Sequence, residues 1–179
     1  MTQHKNIQPP RLPRQLQADA LASIEDRSEH TAISVSGCDL TRQAATGVLF
    51  EQVRFRRVVL NQTHWVKVRV FDARFEACDL SAADWEKARL RRVEFVGCRL
   101  LGAQLPEAQL DDVLIKDCNA EEAVFASAAF RSARFDQSNL RRASFENADL
   151  AGEVSHQCDL AAANLRGALQ NRADLRGSN

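Results

Sequence analysis

Five cysteines, four histidines and two groups of clustered charge are the residues of this 179-residue chain equipped for chemistry. Cys38, Cys78, Cys98, Cys118 and Cys158 are separated by multiples of twenty. Thiolates at a fixed interval could hold zinc or exchange disulfides. A structural zinc site needs four ligands in a tetrahedron, and neither a Cys-x-x-Cys pair nor a matching histidine completes one. The same slot holds Val58 and Ser138, so it asks for a small buried side chain. The thiols therefore read as reduced packing residues, and the cytoplasm is the expected compartment. His4, His30, His64 and His156 are scattered. No glycine-rich phosphate loop and no Ser/His/Asp or Cys/His set recurs, so no enzyme, metal or cofactor is expected.

Charge carries more information. Lys plus Arg and Asp plus Glu each number 24, so no global field draws the chain to nucleic acid or an anionic membrane. Locally, Glu107, Asp111, Asp112, Asp117, Glu121 and Glu122 crowd around Lys116 as a candidate acidic belt. Arg54 with Arg74, Lys67 with Lys87, and Arg69 with Arg89 form a candidate basic patch. No apolar run approaches the ~20 residues of a membrane span, and the polar N-terminus is not a signal peptide. Whether either charged group forms a surface depends on the elements that carry it.

Those elements follow a five-residue rhythm from residue 33 to 178. Of the 29 positions at multiples of five from 35 to 175, 25 carry a large apolar side chain and none is charged. Ten of the eleven aromatics stand there, Phe71 being the exception. Two residues earlier runs a second column of small or β-branched residues, such as Val48, Val53, Cys78 and Ala88. Five fits neither the helical period of 3.6 nor the strand period of 2. Within each unit, however, two inward positions flank one outward residue, as in a short strand, and the other two residues turn a corner. Four units close a square of twenty residues, and the next coil stacks on it at the ~4.8 Å spacing of paired strands. Residues twenty apart then become neighbours. Phe55, Phe75, Phe95, Ile115 and Phe135 fall in one column, and Trp65 lies directly below Trp85 in another.

Units such as ACDLS, NADLA, QCDLA, AANLR and RADLR resemble the A-(D/N)-L-x-x motif of the pentapeptide-repeat family, over about four fifths of the chain. The resemblance implies an all-β solenoid, a right-handed quadrilateral β-helix of about seven coils. It also implies a class of partner, because the family includes DNA-gyrase-binding resistance proteins with DNA-mimicking acidic surfaces that dimerise through their C-terminal ends.

The twenty-residue offset weighs against an acidic mimic. From residue 54 onward, twelve charge pairs at that offset are opposite in sign and three are alike. Asp111 should lie between Arg91 and Arg131, Glu107 beside Lys87, Glu121 beside Arg141 and Glu122 beside Arg142. The belt is thus expected to circle the rod and be neutralised by neighbouring coils. The three like-sign pairs are all basic and cost stability without a partner, which suits an anion-binding patch. Without interleaved exposed aromatics, nucleic acid is not the expected ligand.

At the N-terminus, residues 1–13 hold three of the four prolines and should form a loose, extended arm. The stretch 14–32 is expected to supply a short capping α-helix with Leu16, Ala20, Leu21 and Ile24 on one face, covering a β-helix over 33–179. Gln43 with Ala45 makes a weak first-coil unit. In AGEVS, Glu153 and Ser155 would point inward, which calls for a bulge or an outward-turned Glu153. Gln170 is a further misfit. The last coil (Leu160, Leu165, Leu175) has no helix after it, and its apolar end is expected to pair with a second copy about a two-fold axis. The reading is a rigid, non-enzymatic scaffold for protein–protein contact. A type II topoisomerase is the alternative partner, and anion binding through the basic patch is the third possibility.

Overall fold

The computed structural model describes residues 7–151 and 154–169. Thirteen short strands follow one another: β1 Gln17–Asp19, β2 Glu29–Thr31, β3 Ile33–Ser36, β4 Ala44–Thr46, β5 Leu49–Glu51, β6 Arg54–Arg56, β7 His64–Val66, β8 Arg69–Glu76, β9 Arg89–Val96, β10 Gln109–Lys116, β11 Ala129–Arg131, β12 Arg134–Asp136 and β13 Val154–His156. All pair in parallel, and from β2 onward the register is twenty residues. Phe55, Phe75, Phe95, Ile115, Phe135 and Ser155 are successive partners. Single bridges continue the stacking on the other two sides, from Asp39↔Val59 to Asn139↔Asp159 and from His64↔Asp84 to Ser144↔Asn164. The result is a four-sided β-solenoid of about seven turns. Its sides can be named by their central residues as the Phe50, Phe55, Leu60 and Trp65 faces.

The five-residue rhythm has a backbone counterpart. Among the described residues, twenty-three non-glycine residues and five glycines have positive φ, and every one stands two positions past a multiple of five. These are the corners. None is β-branched, because a branched Cβ clashes in the left-handed region. Rung-to-rung hydrogen bonds hold the strained corners, such as Arg57 N–H to Glu76 O at 2.8 Å. Strands β8, β9 and β10 run unbroken round the corner made by Asp72, Arg92 and Asp112, joining the Phe50 and Phe55 faces.

Inside, like side chains stack in register. Phe55, Phe75 and Phe95 follow at centroid distances of 4.6 and 4.7 Å, and Trp65 lies on Trp85 at 5.4 Å. The cysteines are free; Cys38 is half-buried and the other four are buried. Cys118 Sγ donates to Lys116 O at 3.1 Å, and Ser138 Oγ repeats the contact one rung on with Asp136 O at 3.0 Å. Where the slot holds Cys or Ser, it therefore supplies a small donor that closes the turn. Hydrogen bonding to Cys98 and burial push the Cys78 thiol far up, and the Cys118 contact raises Cys98 to about 12, so neither is a nucleophile at neutral pH.

The N-terminal end differs from expectation. No helix forms among the described residues of 14–32. Instead β1 pairs beneath β3 with Ala18 opposite Ser34, an offset of sixteen. The first rung presents open N–H and C=O groups, which a strand can satisfy and a helix cannot. Leu21 and Ile24 are buried, as an apolar cap requires. Their backbone is tied by Gln43, whose Nε2 donates to Ala22 O at 2.9 Å and whose Oε1 accepts from Ile24 N–H at 2.7 Å. The weak unit is a clamp. His30 completes the cap by stacking on Phe50 at 5.1 Å.

Residues 7–13 are tied down onto the rod. Gln8 N–H donates to Asp112 Oδ1 at 3.3 Å, Arg11 N–H donates to Asp72 Oδ1 at 2.9 Å, and Gln52 Nε2 donates to Arg11 O at 3.4 Å. At the other end, Val154–His156 keeps the register and Ser155 is buried. Glu153, Gln170 and Leu175 lie outside the described residues. No helix among the described residues is long and apolar enough to cross a membrane.

Candidate anion-binding groove

Between the Trp65 and Phe50 faces, one corner column runs Arg27, Gly47, Lys67, Lys87 and Glu107, all at positive φ. Backbone bonds from Lys67 N–H to Glu86 O at 2.8 Å and from Lys87 N–H to Pro106 O at 2.9 Å fix the two lysines on adjacent rungs. Two residues along, Arg69, Arg89 and Gln109 are register partners on the Phe50 face. Together these eight side chains and backbones line a groove of about 540 Å³. Gly47, at φ 71°, leaves a notch between Arg27 and Lys67.

Five cations and one carboxylate face this space. Lys87 is paired with Glu86 at 2.7 Å and Glu107 at 3.8 Å, and the Glu86 hydrogen bond raises its pKa and keeps it charged. Arg69 reaches Glu29 only at 4.0 Å. Among the described residues no carboxylate lies within ion-pair distance of Arg27, Lys67 or Arg89.

The six residues of the sequence-derived basic patch divide. Lys67, Lys87, Arg69 and Arg89 line the groove, whereas Arg54 and Arg74 lie round the Asp72 corner on the Phe55 face. There Arg74 is held by Glu76 at 2.7 Å and Glu94 at 3.1 Å. Sequence reasoning missed Arg27, Gly47 and Gln109. Counting down in twenties from Lys67 reaches residues 47 and 27, but the helix expected from Arg14 to about Arg27 hid that continuation.

The acidic residues surround the rod. Glu107, Asp112, Asp117 and Glu122 occupy the four corners of one turn. Glu107 closes one end of the groove. Glu121 and Glu122 are held by Arg142 at 2.6 and 2.9 Å. Asp111 stands in register with Arg91 and Arg131, yet Arg91 sits over the Phe71 ring at 5.3 Å, and Asp111 Oδ1 is buried without a hydrogen-bond partner. Of the twelve opposite-sign pairs, five close within 4 Å: Arg56–Glu76, Asp72–Arg92, Arg74–Glu94, Lys87–Glu107 and Glu122–Arg142.

Asp72 and Arg92 form the tightest of these, with Nε and Nη2 at 2.6 and 2.5 Å from the two carboxylate oxygens. Their side chains are 7% and 12% exposed. Burial pushes the Asp72 carboxyl up, but Arg92 and the Arg11 amide outweigh it and hold it below the ordinary value. In the last described coil, Leu160 and Leu165 pack half-buried against the core.

The groove gathers five cationic side chains, with no histidine, cysteine or serine in its lining to act as base or nucleophile. Among the described residues no group of three or more His, Cys, Asp or Glu is placed to hold a metal. A family profile described as a pentapeptide repeat region matches residues 88–179. No curated protein matches the sequence. Among solved structures, HetL, a pentapeptide repeat protein involved in heterocyst differentiation regulation from the cyanobacterium Nostoc sp., is 18% identical over 86% of this chain and 89% of that one, with a TM-score of 0.37. Trypsin-treated QnrB1, a plasmid-mediated fluoroquinolone resistance protein, is 20% identical over 85% of this chain and 91% of that one, with a TM-score of 0.35.

Proposed function

We propose that this chain, which belongs to the pentapeptide-repeat family, is a non-enzymatic, rigid scaffold that presents one flat face to a protein partner. The observation that carries this reading is how the described turns use their side chains. Inward positions are filled by stacked aromatic, aliphatic and small residues, and the buried Cys78 and Cys98 thiols are held in their protonated form. Outward residues stand on flat ladders, a geometry that suits an extended contact better than a substrate cleft. The acidic residues give little support to a DNA-mimicking alternative, since they ring one turn and Glu121 and Glu122 are already paired. Self-pairing through the last coil belongs to the same reading. Leu160 and Leu165 are half-exposed where Leu140 and Phe145, one rung below, are buried.

A photo-crosslinking side chain placed in turn at Leu101, Val124, Arg131 and Arg134 samples the Leu60, Trp65, Phe50 and Phe55 faces. The scaffold reading expects one discrete protein adduct from one face in cells. Equal adducts from all four faces, or none from any, would overturn it.

A further inference from the structure

We infer that the groove between the Trp65 and Phe50 faces is a binding site for a small ligand carrying two or more adjacent phosphates. Lys67, Lys87, Arg69 and Arg89 make a two-by-two array on adjacent rungs. Rung spacing is ~4.8 Å, and two residues along a strand span ~6.6 Å. Like charges stacked directly opposite destabilise a sheet, and here they are stacked in both columns. Along the rod the sequence could have alternated signs from rung to rung, as it does at Asp72–Arg92 and Arg74–Glu94. An anion seated between the columns removes that repulsion. Arginine forks engage phosphate oxygens in pairs, and lysines add compact point charges.

The lining also restricts the class of anion. It contains no apolar or aromatic side chain. A peptide partner would lack a buried anchor, and a single-stranded nucleic acid would lack a stacking platform. Length is limited as well. Glu107 stands at one end of the cation columns, and Asp111 lies on the same rung farther across the Phe50 face. A long polyanion running up the rod would meet these carboxylates. A ligand confined to two or three rungs would not. Gly47 puts no side chain between Arg27 and Lys67, and Arg27 lines the groove with them.

The test uses the full chain and inorganic tripolyphosphate as probe, followed by titration calorimetry at low salt. Saturable one-to-one binding is expected, weakening by about tenfold or more as salt rises to 0.3 M, because screening shortens the reach of each charge. Lys67→Glu combined with Arg89→Glu should reduce affinity at least tenfold. Glu already occupies equivalent positions at Glu107, Glu122 and Glu29, so an unchanged unfolding midpoint is expected and shows that the variant folds. Arg54→Glu, on the next face, should leave binding unchanged. Orthophosphate should bind more weakly than tripolyphosphate. The inference is overturned by no saturable binding at millimolar tripolyphosphate, or by equal binding to the folded double variant. It is also overturned by tighter binding of a hexaglutamate peptide or an oligothymidylate, which would reassign the groove to an acidic peptide or a nucleic-acid strand. Crosslinking to a partner protein is a separate readout, so failure here leaves the scaffold reading to its own test.

Discussion

Asp72→Asn is the substitution whose effects can be followed furthest. The residue sits at a corner with φ 51°, a conformation that Asn also tolerates, so the backbone should survive. Asn keeps one oxygen for the Arg11 amide but loses the charge that pairs with Arg92, whose side chain is only 12% exposed. Removing one partner of a buried ion pair typically costs ~3–5 kcal/mol. The retained acceptor and residual solvent access put the expected loss below that range, at about 2–3 kcal/mol. For a chain of this length that corresponds to about 5–10 °C in Tm. Urea unfolding of wild type, Asp72→Asn, Arg92→Met and the double variant closes a cycle, and the double variant should recover part of the loss because no charge is left stranded. Hydrogen exchange should show the Arg11 amide less protected in Asp72→Asn. Because the folded carboxyl titrates below its unfolded value, its contribution is complete above the unfolded pKa of about 3.9 and disappears as pH falls through the folded value. The gap between wild type and Asp72→Asn should therefore narrow under acid. A stability change under about 0.5 kcal/mol, with unchanged Arg11 exchange, would refute the idea that this pair pins two faces and the N-terminal segment together.

Three further outcomes follow from single contacts. Burial lowers the His30 pKa, with Asp19 opposing in part, so the unfolded chain takes up the proton first and stability falls as pH drops below about 6.5. His30→Phe should flatten that slope between pH 7.5 and 5.5 in urea titrations. Trp85 Nε1 donates to Thr63 Oγ1 at 3.2 Å, whereas Trp65 Nε1 is buried without an acceptor because Gln43, on the rung below, is committed to Ala22 and Ile24. Trp65→Phe should thus cost less than Trp85→Phe by about 1 kcal/mol in equilibrium unfolding. Gln43→Leu removes both bonds of the N-terminal clamp. It should lower stability by about 1–3 kcal/mol and deprotect the Ile24 amide, and an unchanged Ile24 exchange rate would contradict the clamp.

The solenoid was legible because its inward columns are chemically uniform and its register is a simple count. Phe55, Phe75 and Phe95 announce their stacking through spacing alone. The N-terminal cap was not legible in the same way. Local propensity over 14–32 favours a helix, but the open edge of the first rung selects a strand, a tertiary demand that propensity does not contain. Gln43 looked like a defect because its value lies in a side chain that replaces missing backbone bonds. The attachment of residues 7–13 depends on amides meeting carboxylates far away in sequence, and no periodicity encodes it. For the groove, the offset groups Lys67, Lys87, Arg69 and Arg89 with Arg54 and Arg74, which the structure places on the next face. A ladder count says which residues stack. It does not say on which side of a corner they face.

The central claim is a rigid rod with a fixed rise per twenty residues, on which both the presenting face and the cation array depend. Pulsed electron spin resonance between labels at Gln62→Cys and Ala162→Cys tests it directly in a Cys38→Ser background. Both positions are exposed corners of one column, five rungs apart. One narrow distance distribution is expected, with the two backbones ~24 Å apart and label linkers the main source of width. A broad distribution, or one centred far beyond that separation, would contradict a rigid twenty-residue solenoid.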